Sequence, residues 1–555
     1  MSSWNFADVF EVIAEVQPDA TAQVQGPRRF TWAQFDARAD AVAQCFLDAG
    51  LAPGVTVAQL LYSCPEYLES MFAAWKIGLP PVNTNYRYGG DELIYLWDNA
   101  DVGAVVFHGE FTERIESIRT SVPRVGLWLW VDDGTGPCPS WATAYESVAT
   151  TAVSPHVVPP WGRSPDDLYL LYTGGTTGAP KGVMWRVDDM FALVNRTAVI
   201  KYPEEGSLDD VRTILGSSEK PRPVFVPCAP LMHGTGAIAS FGALSAGGCV
   251  VTLESRSFSA AELLDTIERE RVKGIAIVGE AFAHPLLAAL DAEPDRWDIS
   301  SLRMITSSGV MWSPANKAGL LRHNDRLLLV DTLGSSEAVG MASDVASSKT
   351  LAEADAASIG GDGSGATKPA SFVLDANTKV LTEDGREVLP GSGESGLIAY
   401  RGRVPLGYYK DEAKSAGTFK VIDGARWSMP GDFAMVEADG SLRLLGRGSQ
   451  CINTGGEKVY PEEPEEALRS HPTVVDAACL GLPDPRWGQR IVALVQLEDG
   501  ATLDEAALIA HVKTRLAGYK APKQIFAVAT LGRAANGKLD YKGLRADAES
   551  FAGER

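Results

Sequence analysis

Tyr172–Val183 reads YTGGTTGAPKGV, a stretch of glycines and threonines that is followed by a lysine. Glycines let consecutive backbone N–H groups point into one concavity, and such a nest binds phosphate. The threonine hydroxyls and Lys181 add hydrogen-bond donors and a positive charge. The preceding run, Asp167–Tyr172, has the apolar character of a buried strand. The sequence therefore predicts a phosphate-binding loop that leaves the end of a strand.

Two other interpretations of this stretch compete with phosphate binding. A loop rich in glycine and threonine is often only a turn. A P-loop of the Walker type needs Gly-Lys-Ser/Thr at the start of a helix, whereas here Pro180 precedes Lys181 and Gly182 follows it. This order argues against a P-loop enzyme, and the choice between a turn and a phosphate site depends on motifs further along the chain.

Length, charge and composition exclude several classes of protein. The chain has 555 residues, too many for one compact core, so we expect two to four structural units. A net charge of −21 argues against a nucleic-acid partner, since phosphate backbones need a basic surface. The seven cysteines show no CxxC spacing and the seven histidines form no HxxxH or HExxH pair, which predicts reduced thiols and no zinc site.

The sequence predicts neither a signal peptide nor a transmembrane segment. Met1–Asp19 lacks the basic and apolar segments of a signal peptide. No apolar run approaches the roughly 20 residues that span a bilayer. We expect a cytoplasmic protein without a transmembrane segment.

Strand and helix patterns alternate over the first part of the chain. Val55–Leu61, Gly103–Phe107 and Gly126–Val131 are short apolar runs typical of strands, and apolar residues at helical spacing lie between them. Ser63 followed by Glu66 has the form of a capping box at a helix start. Repeated strand–helix units predict an α/β fold with a large N-terminal domain of doubly wound, mainly parallel sheets.

The pattern changes further along. Val339–Thr367 is rich in alanine, serine and glycine, which predicts a mobile loop. From Ala370 to Tyr409 short extended runs alternate with turns, which predicts a small β subdomain. From Pro461 onward, helix and strand patterns return in a separate α+β unit of about 100 residues.

One segment, Gly391–Gly396, has the GxGxxG spacing of a dinucleotide-binding loop. It leads into Leu397–Tyr400, an extended run, whereas a Rossmann fold needs a helix N-terminus at that point to bind pyrophosphate. The context therefore argues against an NAD-dependent enzyme.

The remaining motifs occur in the order found in the adenylate-forming superfamily, which includes acyl-CoA ligases, luciferases and non-ribosomal adenylation domains. The chain resembles this superfamily from about residue 30 to residue 541. Taken singly, each motif residue has an ordinary explanation, because an Asp after Gly is usually a turn residue and a lysine near the C-terminus is usually solvated. After the glycine-rich loop the motifs are PLMHG, SGVM, DTLGSSE, GD, GR, TGGEKVYP and GK, beginning at Pro230, Ser308, Asp331, Gly431, Gly446, Thr454 and Gly537.

The resemblance implies a ligase that uses ATP, Mg²⁺ and CoA, and it implies roles for residues by position. The catalytic residues are then Thr173, Lys181, His233, Glu337 and Lys538, with Glu337 also the Mg²⁺ ligand. The nucleotide and CoA contacts are then Thr173, Gly174, Gly175, Thr176, Thr177, Gly178, Lys181, Ser308, Gly309, Val310, Asp331, Thr332, Leu333, Gly334, Ser335, Ser336, Asp432, Arg447, Gly455, Gly456 and Lys538. The acyl pocket is then lined by His233, Gly234, Ala237 and Gly309.

The chemistry suits these residue types. Attack of a carboxylate on the α-phosphorus of ATP needs little proton transfer, so positioning and neutralisation of charge carry the reaction. Lys538 would bridge the carboxylate and the α-phosphate, and the glycine-rich loop would hold the β- and γ-phosphates. Asp432 would accept hydrogen bonds from the ribose hydroxyls.

The resemblance also implies two domains that rotate between two half-reactions. We expect an N-terminal AMP- and acyl-binding domain at 1–446, a hinge at 447–449, and a smaller mobile α+β domain at 450–555. The family usually carries Asp or Lys at the hinge position, where this chain has Ser449 after Gly448. Glycine keeps this turn flexible, so rotation is compatible with the sequence.

Several residues that differ from the family pattern bear on the shape of the carboxylic acid substrate. Leu333 stands where Tyr commonly stacks on adenine, and Ala237 stands where some long-chain ligases carry a gating Trp. Gly234, Gly236, Ala239 and Gly242 keep the same region small, which favours a wide substrate over a slim alkyl chain.

The exact residues of the motifs point to one branch of the superfamily. LYTGGTTGAPKGVMWR, DTLGSSE, GYYKDE and LGRGSQCINTGGEKVYPEE resemble the actinobacterial ligases that activate steroid side-chain carboxylates. We expect a steroid side-chain acid or a similarly bulky acid, with a medium- or long-chain fatty acid as the alternative. An acyl-AMP ligase that feeds a carrier protein fits less well, because Gly455 and Gly456 suit entry of CoA. A homodimer is our hypothesis for the oligomeric state.

Overall fold

The computed structural model divides the chain into two units. The first comprises Met1–Gly340, Val345–Thr367 and Arg403–Phe419, and the second comprises Met341–Asp344, Lys368–Gly402 and Lys420–Arg555. The structure describes residues 4–154, 156–173, 180–309, 312–350, 372–382, 384–447, 450, 452–454, 457–484, 488–516, 518–534, 537 and 539–553. Of residues 373, 447, 453, 457, 458 and 488 it describes the backbone only.

The helices are α1 Phe6–Val16, α2 Trp32–Asp48, α3 Pro65–Lys76, α4 Gly90–Asn99, α5 Thr112–Ile118, α6 Tyr145–Ala149, α7 Val187–Thr197, α8 Leu208–Ser217, α9 Gly234–Ser245, α10 Ala260–Glu270, α11 Glu280–Ala292, α12 Pro314–His323, α13 Glu412–Thr418, α14 Glu462–Arg469, α15 Glu505–Lys513 and α16 Tyr541–Gly553. Short 3₁₀ helices cover Gly109–Phe111, Arg119–Ser121 and Gly518–Lys520.

The strands are β1 Thr21–Gln25, β2 Arg28–Thr31, β3 Thr56–Leu60, β4 Pro81–Asn83, β5 Val102–His108, β6 Leu127–Val131, β7 Thr143–Ala144, β8 Leu168–Thr173, β9 Lys181–Arg186, β10 Val224–Pro227, β11 Cys249–Thr252, β12 Gly274–Ile277, β13 Met304–Ser308, β14 Leu328–Ser335, β15 Ala338–Ala346, β16 Phe372–Leu374, β17 Thr378–Leu381, β18 Ser395–Arg401, β19 Gly407–Tyr408, β20 Phe419–Ile422, β21 Ala425–Ser428, β22 Asp432–Val436, β23 Ser441–Arg447, β24 Ile452–Thr454, β25 Glu457–Val459, β26 Val474–Asp484, β27 Gly488–Leu497 and β28 Gln524–Val528.

The first unit contains two mainly parallel sheets. One has the order β2-β1-β11-β10-β12-β13-β14, and the other has the order β19-β9-β8-β4-β3-β5-β6-β7. Strands β3 and β5 are buried along their whole length. Continuous apolar strands of this kind need cover on both faces of a sheet, which is why they form inside an α/β fold. The predicted doubly wound α/β architecture is confirmed.

The described residues of the first unit form three apolar cores. The largest includes the aromatic side chains of Phe6, Trp75 and Phe241, whose rings contact one another. The other two form around β10–β14 with α10–α12 and around β3 and β5 with α4 and α5. Burial of large aromatic rings contributes strongly to such cores, because apolar area removed from water is stabilising by roughly 25 cal/mol per Å².

A buried ion cluster lies among the first three helices. Lys76 at the end of α3 is completely buried, and its Nζ lies 2.7 Å from Asp36, 2.9 Å from Asp40 and 2.8 Å from Glu11. Removal of Lys76 would leave three carboxylates close together without this cation, which is costly.

The start of α3 differs from the sequence prediction. The helix begins at Pro65, and its N-cap Cys64 makes no side-chain capping bond. Ser63 Oγ instead accepts a hydrogen bond from the backbone N–H of Leu231 at 3.0 Å, and Glu66 forms an ion pair with Arg28. The predicted Ser63–Glu66 capping box is wrong, because partners distant in sequence take both side chains.

The second unit begins with a small antiparallel sheet. Its order is β16-β23-β22-β18-β21-β20, with β17 on β18. The GxGxxG segment leads into strand β18, as predicted, so it lacks the helix that a dinucleotide site needs. Strand β15 covers the start of Val339–Thr367, the segment predicted to include a mobile loop, and residues 351–371 lie outside the described chain.

The C-terminal part of the second unit is α+β, as predicted. Its sheet has the order β25-β24-β27-β26, and β28 pairs with β27 in parallel. Helices α14 and α15 contribute Leu468 and Val512 to one side-chain core, and α16 contributes Leu544 to another. The domain boundaries at 446 and 450 stay a prediction. Among the described helices, none combines the length and apolarity that a membrane crossing requires.

Candidate active site

The glycine-rich loop begins and ends on two paired strands of the first unit. Strand β8 ends at Thr173, β9 begins at Lys181, and these two residues are opposite each other in the antiparallel ladder. Lys181 therefore opens a strand, whereas the lysine of a Walker P-loop opens a helix. Gly174, Gly175, Thr176, Thr177 and Gly178 lie outside the described residues.

Tyr172 explains the small residue after Lys181. Tyr172 and Gly182 are paired across β8 and β9, and a Cβ on Gly182 would lie 2.5 Å from the Tyr172 ring. The Tyr172 hydroxyl donates to Asn99 Oδ1 at 2.6 Å, which keeps the ring over the glycine. Gly182 is thus required by packing between the strands that flank the loop.

Asn83 connects the loop to the turn that carries His233. Its Oδ1 accepts from Tyr172 N at 2.6 Å, and its Nδ2 donates to Tyr172 O at 2.8 Å and to Met232 O at 2.7 Å. The amide is 5% exposed, so these bonds form away from water. One side chain therefore fixes the end of β8 and the residue before His233.

His233 and its neighbours form the start of α9. His233 is the N-cap, and its carbonyl accepts from Ala237 N at 3.0 Å. Gly234 is half-buried, and a Cβ there would lie 3.2 Å from the Leu171 side chain. Ala237 is completely buried, in the same core cluster as Phe241.

Gly236 has a packing reason to be small. A Cβ at Gly236 would collide with the carbonyl oxygen of Ala229 and would lie 2.7 Å from that of Pro230. The turn before His233 therefore passes directly over the first turn of α9. Gly236 thus gives no independent sign of a wide pocket.

The next two motifs lie on neighbouring parallel strands. Ser308 ends β13 opposite Thr332 of β14, and Gly309 follows with a φ of +92°, a conformation that suits glycine. The second motif continues through β14, and its residues Leu333, Gly334, Ser335 and Ser336 are half-buried. Val310 lies outside the described residues.

Asp331 precedes Thr332 on strand β14. It is 5% exposed and forms an ion pair with Lys317 of α12. This buried pair joins helix and strand, so Asp331 has a partner within the protein.

Glu337 and Lys181 share a tyrosine that the motifs did not indicate. Tyr408 Oη donates to Glu337 Oε1 at 2.8 Å, and Lys181 Nζ lies 5.2 Å from the centre of the Tyr408 ring. Glu337 is 8% exposed, and its backbone N–H donates to Ser335 Oγ at 3.2 Å. Trp185 Nε1 donates to Ser336 O at 2.9 Å. The loop lysine, on β9 of one sheet, and the predicted metal ligand, in the turn after β14 of the other sheet, therefore contact the same tyrosine.

The donors near Glu337 fit Mg²⁺. A carboxylate and serine hydroxyls are hard oxygen donors, which is the type of ligand that Mg²⁺ prefers. Glu337 is the anionic member of this set, and Ser335 supplies a hydroxyl beside it.

The second unit contains the two predicted ribose contacts. Asp432 at the start of β22 is paired with Arg447 at the end of β23. Gly446, with a φ of +92°, lies against the carboxyl group of Glu462 on α14. Burial, and after it the neighbouring carboxyl group of Glu465, together raise the pKa of Glu462 to about 8.

The loop predicted to face CoA lies between two strands of this unit. Strands β24 and β25 pair at Thr454 and Glu457, on either side of Gly455 and Gly456. Gly455, Gly456, the hinge residue Ser449 and Lys538 all lie outside the described residues. Gly537, which precedes Lys538, has a φ of +71°.

Asn83 and Tyr408 are the side chains that the motif analysis missed. Both act on the site through partners far away in sequence, 89 residues for Asn83 with Tyr172 and 71 for Tyr408 with Glu337. The only local signal was the resemblance of GYYKDE, beginning at Gly407, to the steroid acid ligases.

Family comparisons agree with the motif order. Residues 10–409 match the AMP-binding enzyme family, and residues 463–538 match the AMP-binding enzyme C-terminal domain. The chain is 38% identical over 548 residues to 3-oxocholest-4-en-26-oate–CoA ligase of Rhodococcus rhodochrous, which covers 97% of this chain and 95% of the relative. It is also 38% identical, with the same coverage, to the medium/long-chain-fatty-acid–CoA/3-oxocholest-4-en-26-oate–CoA ligase of Mycolicibacterium smegmatis.

A solved structure shows the same fold. The anthranilate CoA ligase AuaEII, in complex with anthranoyl-AMP, matches with a TM-score of 0.81 at 23% identity, covering 100% of this chain and 99% of that one. The motifs, the sheet topology and the family matches thus agree along almost the whole chain. The chain belongs to the AMP-binding enzyme family of adenylate-forming enzymes, and within it to the acyl-CoA ligases.

Proposed function

We propose that this ligase activates a bulky carboxylic acid, a steroid side-chain acid, as its acyl-AMP and then transfers the acyl group to CoA. One observation supports the ATP chemistry most directly. Tyr408 contacts Lys181 with its ring and Glu337 with its hydroxyl group. This arrangement brings a cation and a hard anionic ligand to the same tyrosine, beside the strand β9 that follows the glycine-rich loop.

In the first half-reaction the acid's carboxylate attacks the α-phosphorus and pyrophosphate leaves. Thr173 and Lys181 flank the loop that would hold the β- and γ-phosphates, and the Lys181 ammonium would offset the charge of the leaving group. Glu337 would hold Mg²⁺, which neutralises phosphate charge when it is bound. Since little proton transfer is involved, orientation and charge are the contributions required of the protein.

The remaining roles belong to residues of the second unit and of α9. Asp432 would accept from the ribose hydroxyls beside Arg447, and Lys538 would bridge the attacking carboxylate and the α-phosphate. His233, at the N-cap of α9, would border the acyl group. In the second half-reaction the CoA thiol attacks the acyl carbonyl and AMP leaves, with Gly455 and Gly456 beside the thiol's path.

The choice of acid rests on the relatives. Two relatives at 38% identity carry names that include 3-oxocholest-4-en-26-oate as the acid, and one of these names also includes medium- and long-chain fatty acids. A fatty acid is therefore the second candidate. The small residue Gly236 does not contribute to this choice, since its size is explained by packing.

A comparison of acids tests the proposal. Purified protein is mixed with ATP, Mg²⁺, CoA and either 3-oxocholest-4-en-26-oate or fatty acids of six to eighteen carbons, and AMP, pyrophosphate and the thioester are quantified. We expect all three products in equal amounts, with the steroid acid giving the highest kcat/KM. Higher kcat/KM for a plain fatty acid would contradict the choice of acid, and thioester formation without AMP would contradict the ligase chemistry.

A cytoplasmic location and a homodimer stay predictions. Gel filtration with light scattering measures the second directly.

A further inference from the structure

Tyr408 occupies a fixed place at the edge of the second sheet. It lies on the two-residue strand β19, where it pairs with Val183 of β9, and its side chain is 5% exposed. Its backbone N–H donates to Ser415 Oγ of α13 at 2.8 Å. The backbone of Tyr408 is thus held from the strand and from the following helix, which leaves its ring little freedom.

The hydroxyl group of Tyr408 has a defined direction. A phenol has one proton to donate and can accept in return. Thr418 Oγ1 donates to Tyr408 Oη at 3.5 Å, and Tyr408 Oη donates to Glu337 Oε1 at 2.8 Å. The phenolic proton is therefore directed at the carboxylate. A hydrogen bond to one oxygen restricts the rotation of the Glu337 carboxylate and so fixes the directions of its oxygen atoms.

The ring of the same residue faces a cation. Lys181 Nζ lies 5.2 Å from the ring centre, within the range of a cation–π contact, which is worth about 0.5–1 kcal/mol at exposed sites and more where water is excluded. Tyr408 thus contacts the loop lysine with its face and Glu337 with its hydroxyl. The two opposite charges are positioned by different parts of one side chain.

We propose that Tyr408 is a positioning residue for the Mg²⁺–ATP substrate. Its hydroxyl orients Glu337 as a metal ligand, and its ring places the Lys181 ammonium beside the phosphates. The inference rests on the proposed function, in which Glu337 holds Mg²⁺. Hydrogen bonds to a ligating side chain of this kind typically change metal affinity by about 10- to 100-fold.

The neighbouring tyrosine provides a matched control. Tyr409 Oη donates to Asp101 Oδ2 at 2.8 Å, the same bond to a different carboxylate. Tyr408→Phe and Tyr409→Phe each remove one phenolic hydroxyl that binds a carboxylate at the same distance. The difference between the two variants therefore isolates the bond to Glu337.

Calorimetry measures the effect without turnover. Binding of ATP is titrated with Mg²⁺ and with EDTA, and the Mg²⁺ concentration for half-maximal acyl-AMP formation is measured in parallel. We expect Tyr408→Phe to raise that concentration about tenfold and to weaken binding of Mg²⁺–ATP to a similar extent, because Glu337 loses its orienting bond. Binding of ATP in EDTA should change less than twofold, and Tyr409→Phe should match the wild type in every measurement.

A third variant tests the ring. Tyr408→Leu also removes the face beneath Lys181, so ATP binding in EDTA should weaken further than in Tyr408→Phe. An unchanged Mg²⁺ dependence in Tyr408→Phe, or an equal shift in Tyr409→Phe, would overturn the proposal. If the wild type activates no acid, the proposed function fails, whereas the calorimetric comparison still decides the role of Tyr408.

Discussion

At the scale of single residues, Asn83 shows how a side-chain amide can take the place of a backbone peptide group in a strand ladder. Strands β4 and β8 are parallel neighbours that pair at Val82 and Leu170. Beyond that pair, the Asn83 amide accepts from Tyr172 N and donates to Tyr172 O, so it continues the ladder to the residue before Thr173. Its second proton reaches Met232 O, next to His233. An amide is the neutral group with both a donor pair and an acceptor at this size.

Asn83→Asp tests this link. A carboxylate of the same shape keeps the acceptor and loses both donated bonds, and it faces two carbonyl oxygens. We expect the free energy of unfolding to fall by about 2–4 kcal/mol, since each buried group left unsatisfied costs about 1–3 kcal/mol. Adenylation, followed as pyrophosphate exchange, should fall more than thioester formation from preformed acyl-AMP, because the phosphate loop is no longer held to the His233 turn.

The control for Asn83 is Asn99→Ala. Asn99 accepts from the hydroxyl of the same Tyr172 at 2.6 Å, so its loss affects the side chain and spares both backbone segments. Pyrophosphate exchange should stay within about twofold of the wild type. An equal loss in the two variants would mean that general packing around Tyr172, rather than the Asn83 link, supports adenylation.

At the scale of elements, the sequence predicted strands better than it predicted their edges. Apolar runs such as Val102–His108 predict buried parallel strands because the strand is covered on both faces. Strand β19 has only two residues, and it exists because Gly407 and Tyr408 pair with β9. Local composition carries no signal for such pairing, so the contact of Tyr408 with Glu337 could not be predicted.

The start of α3 shows a second limit at this scale. Ser63 and Glu66 have the spacing of a capping box, yet Leu231 and Arg28 bind them instead. A capping box contributes about 1 kcal/mol, so an ion pair to the buried Glu66 carboxylate or a tertiary hydrogen bond can outweigh it. By contrast, the box at Thr31 and Gln34 forms at the start of α2.

The junction of α14 with β23 leads to a prediction about pH. Glu462 begins α14, and its carboxyl group lies against Gly446, where burial raises its pKa from 4.5 to about 8. The folded state therefore favours the protonated form more than the unfolded state does. The resulting stability is fully present below pH 4.5 and is lost as the pH rises through 8.

Calorimetric melting across this pH range checks the expectation. The wild-type transition of the second unit should move to lower temperature as the pH rises from 4.5 to 8. The transition temperature of Glu462→Gln should fall less over the same range, because glutamine stays neutral. Glu394→Gln is the control, because the Glu394 side chain is 40% exposed and pairs with Arg386 in the same unit. Parallel curves for the wild type and Glu462→Gln would show that other groups cause the pH dependence.

At the scale of the whole molecule, the order of motifs predicted more of the site than any single motif did. The structure pairs Thr173 with Lys181 and Asp432 with Arg447, and it sets Ser308 beside Thr332. Only Ser308 and Thr332 lie on neighbouring parallel strands, whose carboxyl ends meet at one edge of a sheet. The other two pairs lie on antiparallel strands. The positioning residues Asn83 and Tyr408 were missed because their contacts depend on tertiary packing and not on any motif.

The acid is the property that the motifs predicted least. Ala237 is completely buried in a core cluster, and Gly236 is small because carbonyl groups pass over it. A residue's size can therefore reflect either packing or an open pocket, and the sequence alone does not distinguish the two. This is why the comparison of acids is the central test of the proposed function.

The two half-reactions lead to a prediction that involves the chain as a whole. If Lys538 bridges the attacking carboxylate and the α-phosphate, its charge is needed only while the acyl-AMP forms. We expect Lys538→Ala to lower the rate of acyl-AMP formation by at least about 10²-fold, the scale on which loss of one oriented charge reduces catalysis. Thioester formation from synthetic acyl-AMP and CoA should stay within about threefold of the wild type, because that step transfers no phosphate. Lys542→Ala, four positions further along and at the start of α16, controls for general loss of positive charge and should leave both steps unchanged. A comparable loss in both steps for Lys538→Ala would assign this lysine to the fold of the second unit, and the bridging role would then have to belong to another cation.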